Sequence, residues 1–233
     1  MKTIGILGGM GPLATVDLFR RIVEGTDAAS DREHIPMVID NNTAIPDRTQ
    51  AILHGGESPV PQMVRSAVRL EAMGADVLIM PCNTAHFFYD ALQPFLGVPM
   101  LHMIRETLEE ARRRGVRRAG LLATDGTCQS GVYHRAFEPA GVTLLTPDEA
   151  GQREVMRVIY EGVKAGRAAF DTRALRRALD ALTAQGAQTL ILGCTELPLA
   201  FARYDLAGYE TLNPTEVLAR AAIREAMGAP AGR

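Results

Sequence analysis

The chain has 233 residues, 47% hydrophobic and 22% charged, with a formal net charge of −2. That length fits one large domain or two of roughly 100 residues each, and the near-neutral balance gives no electrostatic basis for binding nucleic acid or an anionic membrane surface. No apolar run approaches the ~20 residues of a membrane span, and the one in residues 1–9 is too short for a signal-peptide core, so a cytoplasmic protein is expected.

In chain order, strand-like runs fall at residues 3–7, 36–40, 77–80, 119–123, 142–145 and 189–192. Between them Val60, Met63, Val64, Ala67 and Val68 recur at helical spacing, as do Leu175, Ala178, Leu179 and Leu182. Arg112-Arg113-Arg114 with Arg117-Arg118 follows Glu106, Glu109 and Glu110, and reads as a solvated helix end, where cations are favoured. The last helix carries a start signal: Asn213 as N-cap, Pro214 at the first position and Glu216 at the third. Strands alternating with helices predict an α/β fold with mostly parallel sheets.

The three cysteines, Cys82, Cys128 and Cys194, are an odd number with no C-x-x-C spacing, which argues against a disulfide framework or a structural zinc site; no metal is expected. Two of them sit in matching segments. Gly-Ala-Asp-Val-Leu-Ile-Met-Pro-Cys82-Asn-Thr84 aligns with Gly-Ala-Gln-Thr-Leu-Ile-Leu-Gly-Cys194-Thr-Glu196 at an offset of 112 residues, and nearly the same offset relates the strands at 3–7 and 119–123. Internal duplication accounts for this. It predicts two similar lobes, each a mostly parallel sheet flanked by helices, with one cysteine on each side of a cleft that holds the active site. Each cysteine follows the carboxyl end of a strand, where open α/β sheets bind ligands, and a helix starting soon afterwards would favour a thiolate. A single buried cysteine is ordinarily a small hydrophobe; two at equivalent repeat positions point to chemistry.

Lysine usage adds a second pointer. Of 25 basic residues only Lys2 and Lys164 are lysines, so a lysine inside the chain is unusual for this protein.

Pro81-Cys82-Asn83-Thr84-Ala85-His86 and Gly193-Cys194-Thr195-Glu196-Leu197-Pro198-Leu199 closely resemble the paired motifs of the aspartate/glutamate racemase superfamily. The resemblance runs over the whole chain, including Gly8-Gly9-Met10-Gly11 and Thr124-x-Gly126-Thr127. Glutamate racemases usually carry Asp-Ser-Gly after the first strand and His after the second Cys-Thr. Here the turn is Gly-Gly-Met10 and Glu196 follows Thr195, so the chain is more similar to the aspartate racemase branch. The resemblance implies a reaction without a cofactor, with Cys82 and Cys194 as acid and base, a homodimer, and Arg48 and Lys164 on the side-chain carboxylate of an acidic amino acid. An Arg fork and a compact Lys charge suit that task. Met10, Asn83, Thr84, Thr127, Thr195 and Glu196 complete the expected substrate contacts. The expected division is residues 1–102 plus 208–233 in one lobe and 103–207 in the other.

Racemisation removes the α-proton from one face and returns a proton to the other. A thiol suits both tasks because its ordinary pKa, about 8.5, can be tuned toward neutrality. One cysteine then starts as thiolate and the other as thiol, and the product state reverses them. His86 and Glu196 lie close enough in sequence to tune the neighbouring thiols, or serve as a packed histidine and a helix cap. Cys128 has no repeat partner and reads as a bystander. His34, His54, His102 and His134 share no spacing.

Other readings stay open at this point. A glutamate or broad-specificity racemase, a dicarboxylate isomerase or decarboxylase, and an idle aspartate-binding protein all fit the same residues. A nucleotide-binding protein is a remoter alternative, resting on Gly9-x-Gly11-x-x-Ala14 and Asp40. Lys164 lacks a phosphate-binding turn nearby, which argues against pyridoxal phosphate.

Overall fold

A computed structural model describes residues 1–228, which divide into two compact units: Met1–Glu106 with the chain from Thr215 onward, and Thr107–Pro214. In the first unit, β1 (Ile4–Gly8) leads into α1 (Pro12–Gly25), followed by β2 (Met37–Asn41), α2 (Arg48–Leu53), α3 (Val60–Ala72), β3 (Val77–Ile79) and the short α4 (Tyr89–Leu92). The sheet order is β2-β1-β3, all parallel. Every residue of β1 is buried, as expected for the central strand of a parallel sheet covered on both faces.

The alternation of β1 side chains builds two cores. Leu7 packs with Met63, Ala67, Leu70 and Met80, which include the inward stripe of α3. Ile4 and Ile6 face Leu18 and Ile22 of α1, together with Leu218 and Ala222 of the chain's last helix, Pro214–Met227. Pro at the start of α1 costs nothing there, because the first helical N–H groups have no intrahelical partner. Leu18 and Ile22 are fully buried and four residues apart. Truncating either to Ala leaves a cavity worth about 2–5 kcal/mol. Val68 departs from the expected apolar stripe of α3. It is 48% exposed, because the buried positions are Met63, Ser66, Ala67 and Leu70.

Helix α5 (Met103–Arg113) leads from the first unit into the second. Its basic end is solvated: Arg112 pairs with Glu109, and Arg113 and Arg114 pair with Glu110. Exposed pairs of this kind contribute about 0–1 kcal/mol each.

The second unit runs β4 (Arg118–Ala123), α6 (Asp125–Gln129), α7 (Val132–Phe137), β5 (Thr143–Leu145) and α8 (Glu149–Arg157), which continues as a π-helical stretch, Val158–Lys164. It then runs α9 (Arg173–Ala184), β6 (Thr189–Gly193), α10 (Glu196–Arg203) and β7 (Thr211–Leu212). Its order is β5-β4-β6-β7, again parallel throughout. The arrangement β5-β4-β6 repeats β2-β1-β3, so the duplication read from the cysteine segments is present in the topology. The core gathers Leu122 and Leu192 from the sheet with Val155, Ile159, Leu175, Leu179, Leu182 and Leu197 from the helices. Strand β7 was not expected; its counterpart in the first repeat is the single parallel bridge of Met100 to Leu78, 112 residues earlier. Two residues carry too little periodicity to announce a strand.

Among the described residues, no helix is long and apolar enough to cross a membrane.

Candidate active site

In the first unit, the chain leaves β1 through Gly8 and Gly9. Gly9 has φ +92°, and a Cβ there would lie 2.3 Å from the carbonyl oxygen of Asn42, so only glycine fits. The neighbouring Met10 is buried. Arg48, the first residue of α2, is also buried, although Arg is seldom so without partners. Asp47 caps α2 by accepting the Gln50 amide N–H at 2.9 Å. The Arg48 guanidinium donates to the carbonyls of Pro46 (3.0 Å), Ile45 (3.4 Å) and Met10 (3.5 Å). These bonds fix the plane of the fork and tie α2 to the turn after β1.

β3 delivers Cys82 through Met80 and Pro81. The Cys82 N–H donates back to the Met80 carbonyl at 2.9 Å, and the thiol-bearing residue is 5% exposed. Asn83 and Thr84 are buried beside it, at the start of a 3₁₀ turn, Thr84–Phe88. The His86 ring lies in this turn. Its Nδ1 is 2.8 Å from the Cys82 carbonyl oxygen, and its Nε2 accepts the Met103 N–H at 3.1 Å. A neutral ring protonated on Nδ1 satisfies both bonds at once. Burial, ahead of every other influence, brings its pKa down to about 4. His86 therefore engages backbone groups on both nitrogens.

Sequence spacing did not associate His102 with this region, yet its ring centroid lies 4.8 Å from that of His86 and 4.5 Å from that of Tyr89. Burial first, then the neighbouring His86 and Arg105, pulls His102 down to about 3.

In the second unit, β6 ends at Gly193 and the next three residues form a polar cluster. The Cys194 thiol donates to Glu196 Oε2 at 3.0 Å, and the Thr195 hydroxyl donates to the same oxygen at 3.3 Å. All three residues are buried. Burial pushes the Cys194 thiol well above the ordinary thiol value, the Glu196 charge pushes it further, and Lys164 opposes both.

Lys164 reaches this neighbourhood because it ends the π-helical stretch, along which α10 packs. It is exposed, with its ammonium 4.3 Å from the centroid of the Tyr160 ring. Thr127 is fully buried in α6, where its N–H donates to the capping Thr124 hydroxyl at 3.2 Å. Cys128 is half-buried, and burial followed by the Asp125 charge pushes its thiol up to about 12, which makes it a poor nucleophile.

The structure thus brings Met10 and Arg48 together, and gathers Cys82, Asn83 and Thr84 on one turn. It likewise gathers Cys194, Thr195 and Glu196, within reach of the Lys164 charge. Thr127 sits at the turn after β4, the strand equivalent to β1. Among the described residues, no three His, Cys, Asp or Glu side chains gather as metal ligands do.

The family described as Asp/Glu/Hydantoin racemase matches residues 7–222. The chain belongs to that family. A broad-specificity amino-acid racemase of Bacillus subtilis is 29% identical over 207 residues, covering 83% of this chain and 85% of that one. Among solved structures, the aspartate racemase of Picrophilus torridus is similar with a TM-score of 0.82 and 31% identity, over 97% of this chain and 95% of that one. An aspartate racemase homologue from Pyrococcus horikoshii gives a TM-score of 0.77 and 27% identity, over 97% and 100% of the two chains. The superfamily read from the paired cysteine motifs is therefore borne out, and so is the fold of two parallel sheets flanked by helices. The protein is a racemase of the Asp/Glu family.

Proposed function

We propose that this racemase interconverts L- and D-aspartate without a cofactor, with Cys82 and Cys194 as the two opposing acid–base groups on one α-carbon. The observation that carries the reading is the equivalence of the two thiols: each lies within three residues of the carboxyl end of the matching strand of a repeated parallel sheet. Removing a weakly acidic α-proton requires preorganised donors for the developing charge, and Asn83, Thr84, Thr127 and Thr195 supply them in this proposal.

The Cys194–Glu196 hydrogen bond supports a resting state in which Cys194 is the protonated thiol. Arg48, with its fork held by three carbonyls, and Lys164 bind the carboxylates of an acidic substrate, assisted by Met10 and Glu196 at the site's margin. The same reading carries a homodimer, checked by light scattering, and a cytoplasmic location, checked by cell fractionation.

A second reading, broad specificity that includes glutamate, is favoured by the Bacillus subtilis relative. Both are tested by incubating the purified protein with L-aspartate, L-glutamate and neutral amino acids in D₂O without added cofactor. Inversion with α-deuteration of aspartate above the others supports the first reading, and comparable turnover of several supports the second. No inversion of any of them refutes both.

A further inference from the structure

The two cysteine turns are equivalent by duplication, yet they close differently. The carbonyl of Cys194 accepts the Leu197 backbone N–H at 2.9 Å as α10 begins. The carbonyl of Cys82 is instead bound by a side chain, the His86 ring at 2.8 Å. The position 112 residues beyond His86 is Pro198, which has no donor to offer, so this device belongs to the first repeat alone.

The ring's other nitrogen accepts the N–H of Met103, the first residue of α5. That N–H is among those a helix start leaves unbonded. One buried ring therefore joins the backbone of Cys82 to the start of the helix that leaves this unit. Its setting is closely packed. His102 packs at 4.8 Å, Tyr89 stacks at 6.2 Å, and the Tyr89 hydroxyl is itself anchored on the Met100 carbonyl at 2.7 Å. Arg105 lies over the Tyr89 ring and is the cation of this cluster.

We propose that His86 is a positioning residue for Cys82: through its bond to the Cys82 carbonyl it sets where the thiol points. It does not touch the reacting atoms. The kinetic consequence rests on the two-thiol reaction proposed above, whereas the geometric consequence does not.

Two substitutions separate the two bonds. His86→Asn keeps an N–H donor at the position of Nδ1, and His86→Gln keeps an acceptor within reach of the Met103 N–H. The measurement is iodoacetamide labelling of the full chain, read peptide by peptide, with Cys194 as the internal reference. His86→Asn should leave the ratio of Cys82 to Cys194 labelling within about twofold of wild type. His86→Gln should change it about tenfold, since small displacements of a reacting group carry factors of that order. Wild-type ratios in both variants, or equal changes in both, would overturn the proposal. If His86→Gln does not fold, His86→Asn decides alone, and a tenfold change in it overturns the proposal. In the racemisation assay, His86→Gln should lower kcat about tenfold with little change in KM, and His86→Asn should restore it. The labelling ratio needs no substrate, so it remains decisive even if the racemase reading with aspartate fails.

Discussion

Replacing His86 by Asn removes a group that must shed its proton for the first unit to fold. In the unfolded chain an imidazole has the ordinary value of about 6.5, whereas burial holds the folded ring at about 4. The folded state therefore disfavours the charged form. The stability linked to this residue is fully present above pH 6.5 and is lost as the pH falls from 6.5 toward 4, where the unfolded chain binds a proton that the folded chain does not. A difference of about 2.5 pH units, at about 1.4 kcal/mol each, amounts to roughly 3 kcal/mol lost by pH 4. Asn does not titrate. Groups remote from His86 largely cancel in the comparison, and His102, in contact with the ring, is itself held neutral over this range, chiefly by burial. Urea unfolding followed by circular dichroism at pH 7.5, 6.5, 5.5 and 4.5 reads the effect directly. The stability of wild type minus that of His86→Asn should fall by about 2–3 kcal/mol across this range, most steeply below pH 6.5. A difference that does not vary with pH would refute the assignment of a neutral buried ring.

Three further outcomes follow from the same geometry. Glu196→Gln removes the charge that the Cys194 thiol faces, so the pH midpoint of Cys194 alkylation should move down, and kcat should fall by about 100-fold if the carboxylate manages that proton. Lys164→Met should move the same midpoint up, because Lys164 favours the thiolate, and should raise KM for aspartate about tenfold with the melting temperature unchanged. Gly9→Ala should destabilise the protein by about 2 kcal/mol or more in thermal unfolding, whereas Gly55→Ala should cost about 1 kcal/mol. Both have positive φ, but only Gly9 also meets the backbone of Asn42.

What was legible in the chain is what local chemistry controls. The six strands were recoverable because each is a short, fully or partly buried run bounded by turns, and the repeat was visible because two of those runs share Leu-Ile and are each followed within two residues by a cysteine. The Cys194–Glu196 contact was within reach only as one of two readings, since side chains two apart at a helix start need not face each other and Glu196 could equally have served as a cap. The placement of His102 was not. Sixteen residues separate it from His86, and they meet because the segment after Met100 returns alongside β3, where Met100 bridges Leu78. Nor did a 3.6-residue pattern reveal the π-helical stretch that carries Lys164, since the altered winding there accompanies packing against α10. Gly162 marks the site: a Cβ on it would sit 3.2 Å from the Tyr204 hydroxyl.

The central claim is that two thiols serve one α-carbon from opposite faces. It is tested most directly by incubating Cys82→Ser and Cys194→Ser separately with L- and with D-aspartate in D₂O, measuring inversion by chiral chromatography and α-deuteration by mass. Neither variant should invert aspartate at a measurable fraction of the wild-type rate. Each should exchange the α-proton of only one enantiomer, and the two variants should favour opposite enantiomers. Racemisation at near wild-type rate by either variant would contradict the account, and so would exchange of the same enantiomer by both.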